Sequence, residues 1–339
     1  MAGRVLITAR AFWENGQAAE AELLGAGFEV AHSAIAGPHP ADALVPMLEG
    51  YDAVVASTDV YNGAVFAACP NLRIVSRWGI GTDSVDLQAA TRAGVVVTNT
   101  PGTTTEAVAD YAFALMLGIA RRTAEGDAMM RAGGWGELPG VLVCGKTLGL
   151  VGFGQIGQAV ARRAAGFGMR VLAHVPMQER LDPPRRPPAE FVGLDELLAR
   201  SDFVSLHAAV TPETRGMFGA ARFAQMKPTA YFINTARGAL VDDAALVEAL
   251  VSSRISGAAM DVYPEEPLPA DHPLRRAPRC LLTPHNAFNA VEAAQATSLR
   301  AAMSIIELWR GERPSTVCDP AVFDSPALRV PSPSGRGLG

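Results

Sequence analysis

Three side chains of unlike chemistry each follow a short apolar run: Arg237 in N-T-A-R-G, Glu266 in D-V-Y-P-E-E-P and His285 in L-L-T-P-H. Such runs read as buried parallel strands, and in an open α/β sheet ligands gather beyond the carboxyl ends of the strands. A guanidinium placed there can clamp a carboxylate through two parallel N–H bonds. A histidine beside a carboxylate suits a general acid whose imidazolium is held by an anion. Spacing alone leaves the ordinary readings open, a packed histidine and a surface arginine. Gly238 and the short loop argue against a freely waving Arg237.

These groups need a cofactor or substrate to act on, and the stretch L-G-L-V-G-F-G-Q-I-G from Leu148 to Gly157 offers one. A strand-like run, Thr147 to Val151, breaks at Gly152 and resumes as a helical pattern at Gln155. Gly152, Gly154 and Gly157 thus form G-x-G-x-x-G at a strand-to-helix turn. The first glycine permits the turn, the second lets the backbone approach a pyrophosphate, and the third lets helix and strand pack closely. The anion then rests on unpaired N–H groups at the helix start. A bare glycine pattern is weak in a chain with 33 glycines, so the strand and helix around it carry the reading. The alternative is a tight turn with no ligand.

The elements that position these residues recur as strand, helix, strand. Val5 to Thr8, Phe28 to Ala31, Ala53 to Ala56, Arg73 to Ser76 and Val95 to Asn99 predict one parallel α/β unit. A second begins at Lys146, with strands expected at Leu148 to Val151, Arg170 to Ala173, Phe203 to Leu206, Ala230 to Asn234, Ala258 to Val262 and Cys280 to Thr283. Between the two lies Glu106 to Arg122, a helix apolar almost all round, expected to be buried by domain or subunit packing. The segment from Arg131 to Gly145 reads as irregular. The helix from Val291 to Trp309 is expected to run back to the first unit. The fold class is therefore α/β, with two doubly wound, Rossmann-like domains. A dinucleotide domain (102–288) is inserted into a flavodoxin-like substrate domain (1–101 and 289–320), with the cleft at the crossings. Residues 321–339, rich in Pro, Ser and Gly, read as a disordered tail, and Pro183 to Pro188 as a stiff surface loop.

Composition limits what such a chain does. At 339 residues, with a net charge of −5, it has no general attraction for nucleic acid or an anionic membrane. No apolar run reaches membrane-spanning length. Cys69, Cys144, Cys280 and Cys318 fit neither metal nor redox spacing and read as reduced thiols, so a cytoplasmic protein without a metal is expected.

Taken together, R-W-G-I-G-T-D-S-V-D, V-V-V-T-N-T-P-G, V-A-D-Y-A-F-A-L-M-L, G-K-T-L-G-L-V-G-F-G-Q-I-G, D-F-V-S-L-H-A-A-V-T-P-E-T-R-G, N-T-A-R-G, D-V-Y-P-E-E-P and L-T-P-H resemble the D-isomer-specific 2-hydroxyacid dehydrogenase family. These stretches run in family order from about residue 4 to residue 320. The resemblance implies hydride transfer between a nicotinamide cofactor and a small 2-keto or D-2-hydroxy acid. It implies that Arg237 binds the carboxylate and keto oxygen, that His285 is the acid/base, and that Glu266 orients it. It implies that the Gly79-Ile80-Gly81 loop holds the carboxylate through backbone N–H groups. For the cofactor it implies Thr105, Gly154, Gln155, Ile156, Gly157, His207, Thr235, Ala236 and Asp261, the last accepting a hydrogen bond from the carboxamide. Asp110 and Trp135 also match and read as structural; His32, His39, His174 and His272 match nothing catalytic. A homodimer is implied, with Glu106 to Arg122 and the segment after it at the contact.

Several positions depart from the family pattern. NAD-specific members carry an acid at the end of the second strand of the dinucleotide domain, where this chain has His174 and Val175. NAD is therefore expected as the family's commoner choice, with NADP open because Arg180, Arg185 or Arg186 can reach a 2′-phosphate. Thr58 stands where phosphoglycerate-specific members have arginine, and Glu266 where formate dehydrogenases have glutamine, which disfavours both substrates. Asn286-Ala287-Phe288 resembles lactate-type members. Two other readings share the fold: a non-catalytic NAD(H)-sensing scaffold like the transcriptional corepressors, and a phosphite dehydrogenase.

Overall fold

A computed structural model describes residues 2–35, 37–175 and 187–328. The chain divides into two compact units, Met1–Thr104 with Asn289–Gly339, and Thr105–Phe288.

The first unit is built on β1 (Gly3–Ile7), β2 (Phe28–His32), β3 (Ala53–Ala56), β4 (Ile74–Arg77) and β5 (Val96–Thr98). They pair parallel in the order β2-β1-β3-β4-β5, the flavodoxin-like arrangement. Every residue of β3, β4 and β5 is buried, including Ser76, Arg77 and Thr98, as in a parallel sheet covered on both faces. Val54, Val75, Val97, Leu44, Leu48 and Phe66 share one core cluster. The helix Val291–Trp309 packs against β4 from the other face. Its Ala294, Ser298, Ala301 and Ile305 recur at helical spacing and are buried. Ser76 Oγ donates to the Ala301 carbonyl at 2.9 Å, and Trp78 Nε1 to Ser298 Oγ at 2.9 Å.

Part of the expected tail is ordered. Pro320–Asp324 forms a 3-10 turn with Val322 buried, because Asp319 caps it through the Ala321 N–H and the Arg313 guanidinium covers the Phe323 ring at 4.3 Å. Residues 329–339 lie outside the described residues.

The second unit carries β6 (Thr147–Val151), β7 (Arg170–His174), β8 (Glu190–Phe191), β9 (Phe203–Leu206), β10 (Tyr231–Asn234), β11 (Gly257–Met260) and β12 (Cys280–Leu282). All pairings are parallel, in the order β12-β11-β10-β9-β6-β7-β8, so the order of strand addition switches sides between β6 and β9. The seventh strand, β8, escapes a periodicity reading because two residues show no alternation. Arg200 meets it from outside, its two Nη atoms 2.8 and 2.9 Å from the Glu190 carboxylate.

Two expectations are corrected here. The helix Thr105–Arg121 buries one side only, through Val108, Ala112, Phe113, Leu115, Met116 and Ile119, and this side lies on β10, β11 and β12 of its own unit. Glu106, Asp110, Ala114 and Arg121 are exposed along the other side. Asp110 and Glu106 pair with Arg163 at 2.6 and 2.8 Å, which fastens this helix to Gln155–Gly166 and fits the structural reading of Asp110. Beyond it, Thr123–Arg131 is helical, and Trp135 in the irregular segment that follows is 89% exposed. Trp135 therefore does not support the fold of its own chain by packing.

Candidate active site

The sheet of the second unit aims its carboxyl ends at the glycine turn. Gly152 closes β6 at φ 100°, and a Cβ there would stand 2.4 Å from the His207 carbonyl oxygen at the end of β9. A Cβ on Gly157 would meet the Gly152 carbonyl at 2.4 Å, whereas one on Gly154 would meet nothing within 4 Å. The outer two glycines thus serve close backbone packing, and the middle one leaves its side of the turn open. Among the described residues no side chain caps the helix Gln155–Gly166, whose first N–H groups face that open side. Thr105 Oγ1 stands 3.5 Å from Gln155 Oε1, the outer limit of a hydrogen bond. Thr235 Oγ1 is buried without a hydrogen-bond partner among the described residues. An uncapped helix start behind a glycine turn and an orphaned hydroxyl at the end of β10 fit a dinucleotide lying across the switch point. Gly152→Ala is expected to lower stability by roughly 1–3 kcal/mol and to weaken cofactor binding. Thermal melts with and without a reduced nicotinamide test this; unchanged melting and affinity would show that the turn tolerates the shift.

His207 stands at the same switch point, with Nε2 2.9 Å from Ser205 Oγ. Burial pulls its imidazole down to about 4, so it is neutral at physiological pH. The unfolded chain binds this proton near pH 6.5 and the folded chain does not, so stability falls as pH drops from about 6.5 to about 4. The full loss is roughly 3 kcal/mol at most. Urea denaturation at pH 7 and pH 5 tests this, and equal midpoints for the wild type and His207→Asn in their pH dependence would sink it.

Three loops on the far side of the switch point bring the polar groups together. Asn234, fully buried at the end of β10, accepts from the Ala236 N–H and donates to the Arg237 carbonyl, both at 3.0 Å, and so shapes the loop that carries Arg237. Gly238 follows because a Cβ there would lie 1.9 Å from the Tyr263 carbonyl carbon, which no side chain allows. The loops of Arg237 and Glu266 are thereby pressed together. Arg237 Nη1 donates to the Ala236 carbonyl at 2.7 Å.

Glu266 Oε2 lies 2.5 Å from His285 Nδ1, and Glu266 Oε1 accepts from the Tyr263 N–H at 2.9 Å. Burial pushes the Glu266 carboxyl up, but the His285 bond and charge, the Tyr263 N–H and the Arg237 guanidinium together hold it below the usual carboxylate range. His285 itself sits at φ 50°, a left-handed conformation uncommon outside glycine. Asp261 imposes it. Fully buried, Asp261 accepts from Thr283 Oγ1 at 2.6 Å and from the N–H groups of Asn286 and Ala287 at 2.9 and 2.8 Å. These bonds clasp the chain on both sides of His285. A carboxylate has about four lone-pair positions, so one remains for the carboxamide contact that the family resemblance implies. Asn234, Thr283 and Gly238 were not among the expected site residues; their adjacency to Arg237 and His285 in the quoted motifs is the only signal of them in the sequence.

In the first unit, the Gly79-Ile80-Gly81 loop follows β4. Gly79 is at φ 126°, and a Cβ on it would stand 2.3 Å from Arg77 Nη1. Of the loop's backbone N–H groups, which are expected to hold a carboxylate, that of Gly79 is engaged within the unit. Its N–H donates to Thr100 Oγ1 at 2.9 Å, because Thr100 and Asn99 tie this loop to the end of β5. At the end of β7, His174 Nδ1 lies 3.2 Å from the Val192 carbonyl, and neither His174 nor Val175 supplies a carboxylate. Arg180, Arg185, Arg186 and most of the 183–188 loop lie outside the described residues.

Residues 113–287 match the family model of the D-isomer specific 2-hydroxyacid dehydrogenase NAD binding domain. Over 287 residues the chain is 42% identical to a glyoxylate reductase of Korarchaeum cryptofilum, covering 83% of each protein. Over 333 residues it is 39% identical to the Pyrococcus furiosus glyoxylate reductase, covering 95% of this chain and 97% of that protein. The apo-structure of D-lactate dehydrogenase from Escherichia coli superposes with a TM-score of 0.81 at 29% identity, covering 93% of this chain and 100% of that one. With the strand order, the glycine turn and this similarity in hand, the chain belongs to the D-isomer specific 2-hydroxyacid dehydrogenase family, oxidoreductases that pass hydride between a nicotinamide cofactor and 2-hydroxy or 2-keto acids.

Proposed function

We propose that this enzyme reduces small unphosphorylated 2-keto acids, glyoxylate foremost, to 2-hydroxy acids of D configuration where the product is chiral, with Arg237, Glu266 and His285 as its working groups. The observation that carries the reading is the 2.5 Å contact between Glu266 and His285 at adjacent strand ends of the sheet that bears the glycine turn. The glyoxylate reductases at 42% and 39% identity support the choice of substrate. When bound, the nicotinamide supplies the hydride in reduction and accepts it in oxidation. Glu266 occupies His285 Nδ1, so Nε2 is the nitrogen left to pass a proton to the keto oxygen. Arg237 pairs with the substrate carboxylate and polarises the keto oxygen. The Ile80 and Gly81 N–H groups are assigned to the same carboxylate, and Thr105, Gln155, Ile156, His207, Thr235, Ala236 and Asp261 to the cofactor.

NAD is the proposed coenzyme, although the end of β7 has no carboxylate to repel a 2′-phosphate. A dimer is proposed through Met130, Trp135 and Leu142, which are 52%, 89% and 66% exposed, more apolar surface than a lone chain usually leaves in one stretch. The cytoplasm is the proposed compartment. Oxidation of NADH and NADPH followed at 340 nm with glyoxylate, pyruvate and hydroxypyruvate tests substrate and coenzyme together. Phosphite oxidation without turnover of any keto acid would overturn the substrate, and a monomer in sedimentation at micromolar concentration would overturn the dimer.

A further inference from the structure

At the amino-terminal edge of the second sheet, opposite the strand ends that carry Arg237, Glu266 and His285, lies a pocket of about 430 Å³. Tyr231 opens β10 there, Ser256 immediately precedes β11, and Arg279 immediately precedes β12. Arg122, just past the helix Thr105–Arg121, completes the polar rim, while the exposed Pro139 and Pro228 supply apolar wall over the buried Ile119 and Ile255.

Two features set this pocket apart from a surface irregularity. The first is its backbone. Among the described residues four non-glycines have positive φ: Arg122 at 55°, Ser253 at 56°, Arg279 at 51° and His285 at 50°. Three of the four line this pocket; the fourth is the proposed acid/base. Left-handed conformations disfavour residues with a Cβ; Arg122 and Ser253 follow helix ends, where one is common, whereas Arg279 follows no helix of its own.

The second feature is its charge. Arg122 and Arg279 bring two guanidinium groups, and Glu125, bonded to Arg122 at 2.5 Å, brings one carboxylate. The rim is left with a net charge of one positive unit, which matches a single negative group. Arg279 Nη2 donates to the Leu250 carbonyl at 2.7 Å and to Ser253 Oγ at 3.1 Å, which fixes the plane of its fork. A guanidinium carries five N–H donors, so these bonds leave others for a ligand. Burial holds the Tyr231 phenol above its usual range although Arg279 and Arg122 lie near and Ser256 hydrogen-bonds it, so its hydroxyl stays a neutral donor.

We infer that this pocket is a second ligand site, separate from the hydride-transfer site, for a small monoanion with a compact apolar body: an aromatic or branched aliphatic carboxylate. The guanidinium groups and the Tyr231 hydroxyl take the carboxylate, and the proline wall takes the body. This assignment does not depend on the identity of the keto acid.

Benzoate titrated into the full-length protein, followed by the amide resonances of Ser253, Ser256 and Arg279, tests the site. Saturable shifts of these amides are expected, with affinity for neutral benzamide at least about tenfold weaker. Arg122→Gln, at a half-exposed side chain, should weaken benzoate several-fold, and Ser256→Glu, which places a fixed carboxylate on the rim, should abolish it. Arg237→Lys should leave these shifts in place, which separates this site from the catalytic one. Benzoate that moves only the amides around Thr235 and Arg237, benzamide that binds as well as benzoate, or full binding in both Arg122→Gln and Ser256→Glu would each overturn the assignment.

Discussion

His285→Gln is expected to lower kcat for keto-acid reduction by roughly 10²–10⁴-fold, the usual contribution of a positioned general acid, while the Kd for the reduced nicotinamide changes by no more than a few-fold. Glutamine is close to histidine in size but cannot deliver and recover a proton near neutral pH. The side chain touches Glu266 at 2.5 Å and packs edge-on to Phe288 with ring centroids 5.8 Å apart. Neither neighbour belongs to the glycine turn. Its backbone is held independently by the clasp of Asp261 on Asn286 and Ala287, so the loop should survive the change. Single-turnover rates for chemistry and fluorescence titration for cofactor affinity separate the two effects. A variant that loses cofactor binding in proportion to its rate would assign His285 a structural role instead.

Arg237→Lys comes second, with an expected fall in kcat/KM of roughly 10²–10³-fold. Lysine keeps the charge but loses the planar fork, and with it the two parallel bonds that set the angle of a carboxylate. Arg237 also helps to hold the Glu266 carboxyl below its usual range, and a more distant ammonium would do so less well. Part of the loss should therefore be visible in the pH profile. As the Glu266 carboxyl rises towards ordinary carboxylate values, the acid limb of the rate should move to higher pH. Near wild-type kcat/KM in Arg237→Lys would remove the guanidinium from carboxylate recognition and leave the Ile80 and Gly81 N–H groups to account for it.

Where sequence reading and structure part, the reasons are local. A two-residue strand such as β8 has no period to detect, and it is held by pairing with β7 and by Phe191 packing edge-on to the buried Phe153, with Arg200 meeting Glu190 outside. The turn after Pro320 looked like a tail because its composition is that of flexible chain. A single buried Val322 and the Asp319 cap suffice to order it. The helix Thr105–Arg121 reads as apolar all round because alanines count as apolar on every face, whereas only larger side chains such as Phe113, Leu115 and Met116 decide which side is buried. A hydrogen bond such as that from the Gly79 N–H to the distant Thr100 hydroxyl leaves no trace in a motif.

The sequence by itself determined the α/β class, both sets of parallel strands except β8 to within a residue or two at most ends, and the strand-end placement of Arg237, Glu266 and His285. Periodicity and turn residues are local properties, and a parallel sheet forces its functional loops to one edge. Only the tertiary structure decided what those loops do to one another. The Glu266–His285 contact, the close backbone approach that makes Gly238 indispensable and the Asp261 clasp that bends His285 into a left-handed conformation each join different loops of the sheet edge. The same holds for the pocket at the opposite edge, where Arg122, Ser253 and Arg279 come from three connections that nothing in their spacing links. Contacts of that kind depend on strand order and register, which arise only when the whole sheet has closed.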